Sequence, residues 1–344
     1  MNSAPALREL VRQPGQAGPT APRAPFFAAA RTALPTAVVL AACGLVPLLG
    51  AGQYLLYLAS LAIAYAIVAI GLNITNGYLG LVNLAVGGQI ALGAYGCVIA
   101  LLHGAPLPLA LALAVILGAA ASALIFAAFA QLHDFFFGLA TLAAAEVIRL
   151  LVRNLDGVTN GVRGLRGYPG LAASPQATYW VLLGTLALLV FATWLVARSS
   201  LGLRWRAVRE NRTKAAALGI PVLRLQFLGY VLSGAIMSLG GAFIALLLQY
   251  IEPGIADLKI LVQAVLMVAL GGPSTVLGPV VGAVIITLVP ELLRVTNELR
   301  LVIYGLALML VVLALPGGVF GFAERMRRQR AMARRETRDE RSER

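Results

Sequence analysis

Only two lysines occur, Lys214 and Lys259, preceded by Thr213 and Leu258. A phosphate-cradling loop ends in Gly-Lys-Ser/Thr, because backbone amides wrap the phosphates and the lysine reaches the terminal ones. Neither lysine has that setting, which excludes ATP hydrolysis by this chain. Histidine is equally scarce: His103 and His133 stand alone at the ends of apolar segments. The two cysteines, Cys43 and Cys97, lie inside apolar runs, where cysteine acts as a small hydrophobe, so no disulfide framework, metal site or cofactor is implied. No His-Glu-x-x-His pair, Gly-x-Ser-x-Gly elbow or inward pair of aspartates supports an intramembrane hydrolase.

Charge is the scarcest property. Only 12% of the 344 residues are charged, about half the share of soluble domains. Against that, 60% are hydrophobic and the mean hydropathy is +0.88, which marks an all-α integral membrane protein. The net charge of +13 lies at segment ends and in the C-terminal tail, where membrane topology and anionic lipid account for it and nucleic acid does not.

Residues 1–32 form a basic arm rich in Pro, Ala and Gly, read as disordered and cytoplasmic, with Arg8, Arg12, Arg23 and Arg31. Leu40, Ala41, Ala42 and Cys43 spell a lipoprotein cleavage box, but so long a leader followed by many apolar runs argues against removal. A hydrocarbon core takes roughly 20 apolar residues per helix. Runs near 33–50, 54–72, 79–102, 107–130, 135–152, 178–197, 225–248, 258–272, 275–292 and 299–315 then predict about ten spans within a domain covering 33–320. With the N-terminus inside, an even number puts residues 198–224 and the charged tail 321–344 in the cytoplasm as well. Arg153, Arg163 and Arg166 are the exception, falling outside. The tail alternates Arg with Glu and Asp and reads as solvated.

The stretch Arg198–Arg224 is the one long basic interruption. Leu201, Trp205 and Val208 fall at i, i+4 and i+7, an apolar stripe, while Arg206, Arg209 and Glu210 point elsewhere. Thr213 is positioned to cap a second short helix with a flat alanine side, and Gly219 followed by Pro221 stops it. Such a face suits docking to another protein.

Two glycine-rich segments break apolar runs at corresponding places in the two halves. The first runs from Gly71 through Asn73, Asn76, Gly77 and Asn83 to Gln89; the second holds Gly271, Gly272, Pro273 and Gly278. Broken helices at membrane depth are tolerated where they are buried in protein or line an aqueous cavity, so the pair points either to a translocation path or to close packing through small residues. Asn73, Asn76, Asn83 and Gln89 favour the path, with Gly271 and Gly272 opposite. Glu146, Arg149 and Arg153 share one helical face at i, i+3 and i+7 and read as a local ion pair, as do Glu291 and Arg294.

The basic stretch resembles the cytoplasmic coupling loop of ABC importer permeases, whose short helix ends in Ala-Ala-x-x-Gly; Glu210, Ala216 and Gly219 match it. The resemblance extends in order over residues 50–320. Gly71-Leu72-Asn73, Gly77-Tyr78-x-Gly80 and Gly93-Ala94-Tyr95 resemble the branched-chain amino acid importer permeases, specifically the LivM-type subunit. So do Phe137, Thr141, Leu142, Ala145, Glu146, Ile148 and Arg149, then Ser200-x-Gly202-x-x-x-Arg206-Ala207-x-Arg209-Glu210. Ala217-Leu218-Gly219-Ile220, Leu270-Gly271-Gly272 with Gly278-Pro279-x-x-Gly282-Ala283, and Pro316-Gly317-Gly318 complete it. One departure is Asn83 to Gln89, where the family often shows Ser-Leu-Gly-His.

That resemblance implies a type II ABC importer-like fold in a bacterial inner membrane. It also implies a LivH-type permease partner, two ABC ATPase subunits that dock at Arg206, Arg209, Glu210, Ala216 and Gly219, and a periplasmic substrate-binding protein. The cargo it implies is a branched-chain or related amino acid, with urea or short amides as the alternative. A stand-alone proton-coupled carrier using Glu146, and an assembly protein without transport, are the competing classes.

Overall fold

A computed structural model describes residues 52–292 together with Gly305 and Gly318. The arm 1–32, the run 33–50 with its cleavage box, the run 299–315, Arg294, Pro316, Gly317 and the tail 321–344 lie outside the described residues.

Eight apolar helices account for most of what is described. They are α1 (Gln53–Leu72), α2 (Val86–Leu102), α3 (Leu107–Phe129), α4 (Asp134–Asn154), α6 (Pro175–Arg198), α9 (Val222–Leu248), α10 (Leu258–Gly271) and α11 (Gly278–Leu292). Between them lie three short helices: α5 (Asp156–Thr159), α7 (Ser200–Glu210) and α8 (Arg212–Ala217). Two-residue strands β1 (Leu165–Arg166) and β2 (Tyr250–Ile251) pair antiparallel. Five helices are long and apolar enough to cross a membrane, with α1 continuing through a π-helical turn to Leu79. Helices α2, α10 and α11 are shorter. The chain is a multi-pass membrane protein.

Helix boundaries follow local chemistry. Ser174 Oγ accepts from the Ala177 amide at 3.2 Å and Pro175 opens α6, both orthodox N-terminal signals. Two expectations need correction. The run expected from Leu79 becomes α-helical only at Val86, because Gly80 takes a left-handed φ of 65° that ends the π turn, and residues 80–85 form no helix. Helix α8 is capped by Asn211, whose Oδ1 accepts from the Lys214 amide at 2.8 Å, and Thr213 sits inside the helix.

Helix α9 is the hub, and glycine explains why. A Cβ on Gly240 would press on Val68 of α1, one on Gly241 would overlap the Ile90 carbonyl of α2, and one on Gly234 would overlap Ser122 of α3. Across the same seams, a Cβ on Gly93 or Gly118 would run into Ser238. In lipid, helices associate through close backbone approach rather than hydrophobic expulsion, and small residues permit it.

Contacts sort the element ends into two levels. At one, α7 packs on the π turn: a Cβ on Gly80 would lie 2.8 Å from Arg209 Cγ, and one on Gly229 would meet both Leu79 and Trp205. At the other, Tyr54 donates to Glu291, Tyr168 donates to the Ala245 carbonyl at 2.9 Å, and β1 meets β2. After β2 the chain turns back inward. The 3-10 turn Pro253–Ala256 reaches α2, where a Cβ on Gly87 would lie 2.5 Å from the Ala256 carbonyl. The chain entering α10 therefore lies against the start of α2.

Candidate functional site

The basic stretch folds as two helices with distinct faces. Trp205 and Val208 are buried and Leu201 half-buried, so the apolar stripe of α7 faces the bundle, while Arg206, Arg209 and Glu210 are exposed. Arg206 Nη2 donates to the Ala197 carbonyl at 3.2 Å, holding α7 against the end of α6. Helix α8 ends in a Schellman arrangement: Ile220 N–H donates to the Ala215 carbonyl at 3.1 Å, Gly219 N–H to Ala216 at 2.9 Å, and Gly219 has φ 77°. Ala216, Ala217 and Gly219 stand exposed around that end, and Leu218 is 80% exposed at its tip.

The two glycine-rich breaks touch. Asn73 Nδ2 donates to the Thr275 carbonyl at 2.9 Å, and the Ser274 amide donates to Asn73 Oδ1 at 3.0 Å. Ser274 Oγ donates to the Gly77 carbonyl at 2.7 Å. A Cβ on Gly77 would lie 2.7 Å from the Ser274 nitrogen, and one on Gly271 would overlap the Gly278 carbonyl, so glycine allows both approaches. Gly272, at φ 112°, turns the chain between α10 and α11.

The other amides expected on a path form an inward network. Asn76 Oδ1 accepts from the Asn83 backbone amide at 2.9 Å. Asn83 Nδ2 donates to Gln89 Oε1 at 3.4 Å, Tyr230 donates to Asn83 Oδ1 at 3.3 Å, and Gln89 Nε2 donates to Ser122 Oγ at 2.8 Å. Asn73, Asn83 and Gln89 are buried and Asn76 half-buried. Unmet amides in a low-dielectric interior are costly, and these meet one another. Ser122 and Tyr230 completed the network without any signal in the sequence, since a lone Ser or Tyr in an apolar run is unremarkable.

Glu146 and Arg149 of α4 form the expected pair, with Arg149 Nε donating to Glu146 Oε2 at 2.8 Å and Nη2 to Oε1. Asp257, which precedes α10, brings its Oδ1 to 3.8 Å from Arg149 Nη1. Sequence gave no hint of it, being 108 positions from Arg149 in a loop that only the inward turn of the chain places there. Of the three, Glu146 lines an open cavity of about 340 Å³ formed by α4, the start of α2 and the chain leading into α10; Arg149 is bonded to Glu146, and Asp257 lies between the lining residues Ala256 and Leu258. Among the described residues no cluster of metal-ligating side chains occurs.

The profile of the family described as "Branched-chain amino acid transport system / permease component" matches residues 54–313. The chain is 26% identical over 294 residues to the high-affinity branched-chain amino acid transport system permease protein LivM of Escherichia coli (strain K12), covering 76% of this chain and 69% of that protein. It is 30% identical over 156 residues to the corresponding LivH of the same strain, covering 43% and 48%. It is 28% identical over 144 residues to the autoinducer 2 import system permease protein LsrC of Klebsiella pneumoniae, covering 40% of each. No solved structure matches.

Proposed function

The chain belongs to the family of branched-chain amino acid transport system permease components, and from that premise we propose that it is the LivM-type subunit of an importer of branched-chain or related amino acids. In this reading it pairs with a LivH-type permease, receives cargo from a periplasmic binding protein and is driven by two separate ABC ATPase subunits. It sits in a bacterial inner membrane with about ten spans and both termini cytoplasmic. Residues 198–224 are its cytoplasmic handle.

One observation carries the reading. The basic handle rests on the π turn through Trp205, and that turn is hydrogen-bonded through Asn73 to the break between α10 and α11. A push on α7 and α8 therefore reaches both breaks through packed side chains and backbone bonds. Arg206, Arg209, Glu210, Ala216 and Gly219 form the docking surface in this proposal. Exposed Leu218 beside them supplies an apolar anchor that has no reason to face water alone. Asn73, Asn76, Asn83, Gln89, Gly271 and Gly272 then act as the wall of the path and the joint that moves it. The amides of Asn83 and Gln89 engage one another and their neighbours, so their arrangement gives no preference for urea or short amides over α-amino acids.

The test is Ala216→Arg in the assembled importer. Position 216 is exposed, so the fold tolerates the change. ATPase subunits should cease to co-purify and uptake should fall at least tenfold, with membrane insertion unchanged. Uptake at the wild-type rate would refute the docking role, and proton-driven accumulation by vesicles holding this chain alone would refute the importer reading altogether.

A further inference from the structure

Glu146 lies about 16 Å along the helix axis from Phe135 and about 12 Å from Asn154, at roughly 1.5 Å per residue. It is thus near the middle of a membrane-spanning helix. Its side chain is nevertheless 50% exposed, and that of Asp257 is 54% exposed. Two half-exposed carboxylates at that depth do not face hydrocarbon, where ionised side chains are strongly disfavoured; they face a water-filled cavity or a polar occupant. The 340 Å³ cavity beside them sits at the low end of the roughly 300–1,000 Å³ of small-molecule sites.

We propose that this cavity is a transit subsite for a zwitterionic α-amino acid with an apolar side chain, with Arg149 taking the α-carboxylate and Glu146 with Asp257 taking the α-ammonium. The inference rests on the importer reading above and names where its cargo pauses. Arg149 has donors to spare: Nε and Nη2 serve Glu146, while Nη1 stands 3.8 Å from Asp257, beyond hydrogen-bonding distance. A carboxylate adds there without breaking the existing pair. Two carboxylates around one guanidinium leave net negative charge, which attracts an ammonium and rejects a simple anion.

The rest of the lining fits the other end of such a molecule. Leu84, Leu139, Leu142, Leu258 and Leu261 make an apolar wall. The first turns of α2 and α10 both border the cavity, so their N-terminal ends add positive potential there. Cargo reaches this place beside two partial helices that adjoin the breaks, α2 through its first turn and α10 through its far end at Gly271, so the subsite and the moving joint share elements.

The experiment uses the complete importer in proteoliposomes with L-leucine and L-valine as probes. It measures uptake together with the ATP hydrolysis that loaded binding protein stimulates. Arg149→Gln should lower L-leucine uptake at least tenfold while stimulated hydrolysis continues. The exchanged pair, Glu146→Arg with Arg149→Glu, preserves an i, i+3 ion pair yet reverses the site, so uptake should stay equally low. Leu142→Trp should narrow the apolar wall and reduce L-leucine uptake about tenfold more than L-valine uptake.

Recovery of uptake to within about twofold in the exchanged variant would show a structural ion pair only and overturn the subsite. So would an unchanged leucine-to-valine ratio in Leu142→Trp, or cross-links showing that a partner permease side chain fills the cavity. A wild-type importer that moves no α-amino acid would instead bring down the proposed function, a distinct failure read before any variant is made.

Discussion

Asn73 on the π turn and Thr275 between α10 and α11 lie 202 positions apart in the chain and are joined by a 2.9 Å hydrogen bond. The bond and its companion from the Ser274 amide close two breaks onto each other at the level where the basic handle sits.

Asn73→Ala leaves the Ser274 N–H and the Thr275 carbonyl without their partner. Each such loss costs about 1–3 kcal/mol when the group is shielded from water. Thermal unfolding of the purified protein should shift downward by several degrees, and Asn73→Asp should restore only the acceptor half. A melting curve identical to wild type would remove Asn73 from the joint.

Trp205 anchors the handle. It is 1% exposed and borders a cavity of about 130 Å³ with Tyr78, Thr193 and Ile236. Truncating a buried tryptophan to alanine costs about 3–5 kcal/mol. Trp205→Ala should make residues 200–217 markedly more accessible to limited proteolysis while the spans stay protected, and Trp205→Phe should restore most of the protection.

Gly93→Leu tests the α2 to α9 seam. A Cβ there would overlap the Ser238 carbonyl, and Ser238 Oγ donates to the Gln89 carbonyl at 2.7 Å. Even Gly93→Ala should cost about 1–3 kcal/mol from overpacking, and the leucine variant should lose most membrane-inserted protein. Gly184, exposed on α6 with nothing within 4 Å, is the matched control and should accept alanine freely.

Tyr168 sets an alkaline limit. Burial first, and the nearby Cys97 thiol second, push its hydroxyl above the ordinary tyrosine range. In the unfolded chain the phenol ionises near pH 10. Because the folded form holds its proton longer, its stabilising contribution is complete below about pH 10 and is lost as pH rises further. Tyr168→Phe should lower stability at neutral pH by about 1 kcal/mol, since the Ala245 carbonyl loses its donor. Between pH 9 and 11 its melting temperature should also fall less steeply than that of wild type.

Eight of the ten apolar runs fall on helices, and each does so because length and hydropathy are local properties. The runs at 33–50 and 299–315 lie outside the described residues. The stripe Leu201, Trp205 and Val208 was equally legible, since helical period alone puts those residues on one face. The start of α2 was not, because an apolar run reads as helix until a left-handed glycine stops it. The α8 cap moved from Thr213 to Asn211 for a similar reason: both residue types cap helices, and only backbone geometry selects one. That Asn83 and Gln89 bond each other was not legible either, since nothing in their spacing fixes which partner a buried amide finds.

The sequence by itself determined that this chain lives in a bilayer, has no phosphate loop of its own and carries a long basic stretch between apolar runs, because composition, motif spacing and periodicity are written in neighbouring residues. Only the tertiary structure decided that the two breaks bond through Asn73, that Gly93, Gly234, Gly240 and Gly241 make α9 the hub, and that Asp257 joins Glu146 and Arg149 beside a cavity. Those relations join residues a hundred or more positions apart, and helix packing in lipid is set by which small residues let two backbones approach, a pairing that no single segment encodes.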